Sequence, residues 1–184
     1  MAFAVILYFD PATESSVQAL WDLLARQGIS SIMARLGIRP HISLAGLDDL
    51  EPGSLCGELR ALSETTRPLT VNLSAVGTFP TAQGVVYLAP AVSPALVRLH
   101  EALHARLGAL GLSSADYYRP GNWVPHCTVT INLPPDQVAA AVNVCRASNV
   151  FRPAQLTEIA LVEYMPIAEL CVFRLGDTAS TPAG

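Results

Sequence analysis

The sequence predicts an α+β fold, on three observations. Short β-rich apolar runs are interleaved with longer segments whose apolar residues recur at helical spacing. The order strand, helix, strand, helix, hairpin in the first half is followed by helix, strand, helix, hairpin in the second. Each half also holds one segment of the form Pro-His-apolar-hydroxyl-apolar: Pro40-His41-Ile42-Ser43-Leu44 and Pro125-His126-Cys127-Thr128-Val129. With 184 residues, 51% hydrophobic and 14% charged, the chain is expected to form one globular domain over 1–176, with a small polar tail over 177–184.

Phe3 to Phe9 is a continuous apolar run and reads as a buried strand. Thr13 is placed to cap a helix from Glu14 to Gln27, with Val17, Leu20, Trp21 and Leu24 on its buried stripe and Gly28 at its stop. Gly37 and Pro40 punctuate the next segment, so its strand begins near His41. A helix over 53–65 follows, faced by Leu55, Leu59 and Leu62. Strands over 71–79 and 85–89 then form a hairpin whose loop is flanked by Phe79 and Tyr87. Those two rings suit either a nucleobase or the core.

Ser93-Pro94 opens a helix to Leu110, since proline is tolerated in a first helical turn. Gly111 ends it, and a loop containing Tyr118 and Arg119 leads through Trp123 into the second motif strand. A helix over 136–147 and strands over 156–164 and 170–175 complete the chain.

The motifs carry the chemistry. Side chains alternate faces along a strand, so His41 shares a face with Ser43, and His126 with Thr128 and Thr130. Cys127, of opposite parity, points to the core. Two such half-sites facing one another would flank a pocket with two imidazoles and floor it with hydroxyl donors. That arrangement suits an anion needing one proton removed and another supplied. Arg39 shares the parity of His41 and can reach a phosphate, or lie solvated at the strand's start.

Composition narrows the chemistry further. All eleven basic residues are arginine. Without lysine there is no lysyl-nucleotide intermediate, Schiff base or phosphate-loop lysine. A formal charge of −4 argues against a broad basic footprint for long nucleic acid. No apolar run is long enough to span a bilayer, and Met1-Ala2-Phe3 supplies no basic leader. A cytoplasmic protein is therefore expected, with Cys56, Cys127, Cys145 and Cys171 as buried reduced thiols.

Two His-x-Ser/Thr-x motifs half a chain apart, the second preceded by Trp123-Val124-Pro125, resemble the 2H phosphoesterase superfamily, which includes the bacterial 2′-5′ RNA ligases and the 2′,3′-cyclic nucleotide phosphodiesterases. The resemblance covers nearly the whole chain. It implies a bilobal α+β fold: two pseudo-twofold-related lobes of mainly antiparallel sheet, helices on the outer faces and a central cleft. It also implies metal-independent, cofactor-free phosphodiester chemistry. His41 and His126 would be catalytic, Ser43 and Thr128 would bind phosphate with Thr130 and Arg39 in support, and Tyr118, Arg119 and Trp123 are candidates for substrate contact. The expected partner is a small nucleotide with a cyclic phosphate, or an RNA end, and the expected state a monomer.

Two other readings compete. His100-Glu101-Ala102-Leu103-His104 matches the zinc-protease signature on a predicted helix. However, Leu107 and Leu110 stand where an extended signature needs glycine and histidine, and a third ligand from Glu158 or Glu163 would come from a strand. The alternative is an amphipathic helix whose polar edge carries two histidines. The other competing reading is a 2H fold that binds a nucleotide or RNA end without turnover.

Overall fold

Both faces of β1 (Phe3–Phe9) are covered, which is why its sequence is continuously apolar rather than alternating. Val5, Leu7 and Phe9 join the main core, while Ala4, Ile6 and Tyr8 form a smaller cluster with Ala160 and Val162. This computed structural model describes residues 2–177, so nearly all of the expected tail lies outside the described residues.

Helix α1 (Pro11–Arg26) is capped by Asp10 rather than Thr13: the Asp10 carboxylate accepts from the N–H groups of Ala12 and Thr13. A carboxylate before a first-turn proline satisfies two orphan donors and meets the positive end of the helix dipole. Thr13 lies one turn inside, its hydroxyl donating to Asp10 at 2.8 Å. A four-residue helix, α2 (Ile32–Arg35), follows; it is too short to leave a periodic signal.

The other elements are β2 (His41–Leu47), α3 (Pro52–Thr65), β3 (Leu69–Thr78), β4 (Val86–Pro90), α4 (Pro94–Ala109), β5 (Cys127–Thr130), α5 (Pro135–Arg146), β6 (Pro153–Tyr164) and β7 (Ile167–Arg174). A single 3₁₀ turn, Asp116–Tyr118, sits in the loop before β5. All the strand pairs are antiparallel, in the order β2-β1-β6-β3-β4-β5, with β7 also on β6. The fold is thus α+β, with helices packed against an antiparallel sheet.

The two motif strands, β2 and β5, stand at opposite ends of that order and nevertheless meet. They touch where the main chain of His41 comes against the buried sulfur of Cys127. β6 joins the halves: its first residues pair with β3, its remainder with β7, and β1 lies along its other side.

One expectation about the cysteines is corrected. α3 packs on β7, which places Cys56 and Cys171 with Cα atoms 6.2 Å apart, and they form a disulfide. Their 115-residue separation hides that proximity in the sequence. Cys127 and Cys145 are free and buried. Among the described residues no helix is long and apolar enough to cross a membrane.

Candidate active site

The half-sites are built alike. His41 opens β2 with Nδ1 2.7 Å from the carbonyl oxygen of Arg39; His126 directly precedes β5 with Nδ1 2.7 Å from that of Val124. A carbonyl oxygen only accepts, so each Nδ1 carries the proton. Each Nε2 is left as the working atom, a base when bare and an acid when protonated.

The hydroxyl residue two positions on is followed in both strands by an irregularity of register. Ile6 pairs with Ser43 and Val5 with Ala45, so Leu44 is the extra residue in β2; Tyr87 pairs with Thr128 and Val86 with Thr130, so Val129 is the extra residue in β5. Such bulges re-aim the side chains beside them. An indole also reaches the carbonyl of each hydroxyl residue: Trp123 Nε1 donates to Ser43, and Trp21 Nε1 to Thr128 at 3.2 Å.

His41, Ser43, His126 and Thr128 all line one cavity of about 820 Å³. Burial holds His41 far below its ordinary value, at about 4, and a charge on His126 lowers it further. The two imidazoles are therefore close enough to disfavour double protonation. Burial also lowers His126, opposed by its bond to Val124. Phe79 and Tyr87 contact the His126 ring, with centroids 5.0 and 5.2 Å away. Gly77, paired with Tyr87 across the hairpin, makes this possible: a Cβ there would lie 2.4 Å from the Tyr87 ring.

Ser43 has partners of its own. The phenols of Tyr118 and Tyr164 line the cavity beside it, and burial raises both phenol pKa values, that of Tyr118 to about 12, against the opposing effect of the Ser43 hydroxyl.

The description "2′-5′ RNA ligase superfamily" matches residues 9–165. The chain belongs to that superfamily. No curated protein matches it. Among solved structures, TT0787 of Thermus thermophilus is similar at a TM-score of 0.63 and 18% identity, covering 96% of this chain and 98% of that one. Escherichia coli LigT complexed with 3′-AMP is similar at 0.60 and 17%, covering 95% and 97%. A structure described as a phosphoesterase gives 0.60 and 16% over 95% and 97%. At these identities the likeness concerns the fold.

Within this superfamily member, several candidates named from the sequence lie away from the cavity. Arg39 is held 2.7 Å from Glu14 and 2.8 Å from Glu158, with Glu169 at 3.7 Å and its guanidinium over the Tyr8 ring. These carboxylates engage its guanidinium, and it does not line the cavity. Thr130 is buried and donates to Ser30 at 2.6 Å; the bulge at Val129 breaks the alternation that would align it with Thr128. Arg119 pairs with Asp116 and donates to Ser113 and Ser114. Trp123 stacks flat on His100, 4.0 Å between centroids, instead of facing the cavity. Tyr118 alone of the three substrate-contact candidates lines it.

The zinc-type helix has another use. His100 Nε2 meets the carbonyl oxygen of Tyr118 at 2.8 Å, and His104 Nε2 that of the bulged Leu44 at 3.2 Å, so both rings donate there. Burial lowers both, His100 to about 4. Glu101 is exposed, Glu158 is engaged by Arg39, and no three potential metal ligands cluster among the described residues. The pair braces the first half-site from behind. Tyr164 was missed because nothing local marks it; its strand reaches Ser43 only through the folded sheet.

Proposed function

We propose that this protein is a metal-independent phosphodiesterase acting on 2′,3′-cyclic phosphate or 2′-5′ phosphodiester bonds of nucleotides or RNA ends. The observation that carries this reading is the pair of Nδ1-protonated imidazoles, one from each half, in one cavity with Ser43 and Thr128. A second charge is disfavoured, so the working pair holds one proton. It resides on His126, whose aromatic neighbours favour a cation, while the more strongly depressed His41 stays bare.

Water attacks phosphorus and yields its proton to His41 Nε2. As the new P–O bond forms, the bond to the 2′ or 3′ ribose oxygen breaks, and that oxygen takes the proton from His126 Nε2. Ser43 and Thr128 donate to the non-bridging oxygens, where charge accumulates. If a ribose 5′-hydroxyl replaces water, the same geometry forms a 2′-5′ linkage. Nucleotide substrates are also consistent with LigT, whose structures include complexes with 3′-AMP, ATP and NADP+.

The test is incubation with 2′,3′-cyclic mononucleotides and with 2′-5′ and 3′-5′ linked dinucleotides in excess chelator. Opening of the cyclic phosphate to one monoester isomer, lost in His41→Ala, is expected. Turnover that His41→Ala retains, or that the chelator abolishes, would overturn the proposal.

A further inference from the structure

The cavity walls carry information about substrate charge that the motifs do not. Among the described residues, none of the side chains lining it is aspartate, glutamate or arginine, and the chain has no lysine. The two arginines beside the motifs are engaged elsewhere: Arg39 with Glu14 and Glu158, Arg119 with Asp116 and the preceding loop. The two histidines together hold at most one proton. Around the mouth, Leu36, Tyr117 and Val124 are exposed by 40%, 61% and 43%, although large apolar side chains usually avoid water. Phe79 continues that apolar surface inward to His126.

We infer that this cavity selects a phosphodiester carrying a single negative charge and an uncharged, aromatic remainder, and rejects a substrate bearing a second phosphate. This rests on the proposed phosphodiesterase reading and narrows its substrate class. At about 820 Å³ the cavity lies within the roughly 300–1,000 Å³ span of small-molecule sites, so a mononucleotide is enclosed by these walls. One anionic phosphate is matched by the shared imidazole proton and the hydroxyl donors. A second would leave water for a wall whose lining side chains include neither arginine nor lysine. Hydrolysis itself adds such a charge: a cyclic diester monoanion becomes a monoester whose second pKa is about 6. The product is thus bound less well than the substrate, which favours its release.

The experiment compares a 2′,3′-cyclic nucleoside monophosphate with the same compound bearing a 5′-phosphate, on the wild-type protein. The expected result is a kcat/KM lower by on the order of 10-fold or more for the 5′-phosphorylated compound. For the unphosphorylated one, kcat/KM should change little between about 50 and about 500 mM salt. Equal or better turnover of the 5′-phosphorylated compound overturns the inference while leaving the phosphodiesterase reading intact. If neither compound is turned over, that reading fails. Equilibrium binding of the same two compounds then decides the inference, with tighter binding of the unphosphorylated one required. Equal binding, or binding of neither, overturns it.

Discussion

The indole N–H of Trp123 donates to the main-chain oxygen of Ser43 at 2.9 Å. The bond runs from the segment that leads into the second motif to the strand that carries the first. It fixes one hydroxyl donor relative to the opposite imidazole. Trp123→Phe retains the stack on His100 and removes only the donor. The variant is expected to lose about 1 kcal/mol of stability and on the order of 10-fold in kcat, with KM less affected. Denaturant unfolding and steady-state kinetics would measure this; an unchanged kcat would contradict the positioning role.

On the proposed mechanism, the two histidines set the pH profile. His41 must be bare, and its pKa is held at about 4, so kcat/KM rises through that region. His126 must be protonated, and its pKa is depressed below the ordinary 6.5, so kcat/KM falls before neutrality is reached. A bell with its maximum on the acid side of neutrality is expected. Replacing either histidine with alanine should cost about 10²- to 10⁴-fold in rate, and His126→Ala should also abolish the descending limb.

His100 links stability to pH. Its folded pKa, about 4, lies below the unfolded value, so the unfolded chain binds its proton first as pH falls. Its contribution is complete above about pH 6.5 and is lost progressively toward pH 4. His100→Gln keeps a donor for the Tyr118 carbonyl and cannot titrate. Its melting temperature should fall less between pH 7 and pH 5 than that of the wild type; an identical fall would show that His100 titrates normally.

Tyr164→Phe removes the phenolic hydroxyl beside Ser43 and keeps the ring. Loss of the phenolic hydroxyl beside the proposed phosphate donor should lower kcat by on the order of 10-fold, with thermal stability nearly preserved. Ser43→Ala in the same background should then cost less than it does in the wild type, because the two groups act in series.

The Cys56–Cys171 bridge closes a loop across 115 positions. Cys171→Ser, or mild reduction, should cost about 2–4 kcal/mol, read by denaturant unfolding. Native Cys127 should resist alkylation, since burial raises its pKa to about 12. Modification of Cys127 at the rate of a free thiol would contradict its placement.

What the sequence made legible was whatever depends on neighbours along the chain. A continuous apolar run located β1, glycine and proline punctuation the start of β2, and alternation the β3–β4 hairpin to within about two residues, while the Pro-His-apolar-hydroxyl pattern marked four residues that share the cavity. What it hid depends on the folded sheet. Arg39 has the parity of a site residue, but Glu14 and Glu158, 25 and 119 positions away, claim its charge. Thr130 has the right parity too, until a bulge one residue earlier interrupts it. His100 and His104 form a metal-like pair on paper, whereas the carbonyls of Tyr118 and Leu44 occupy them in space.

The placement of β6 between β1 and β3 has a consequence for biosynthesis. A nascent chain that has already displayed both imidazoles is still without the seam that holds its halves in register, since residues 153–164 follow both motifs. Assembly of the cavity is thereby deferred until that strand has emerged, and a ribosome stalled short of that point leaves the two half-sites unjoined.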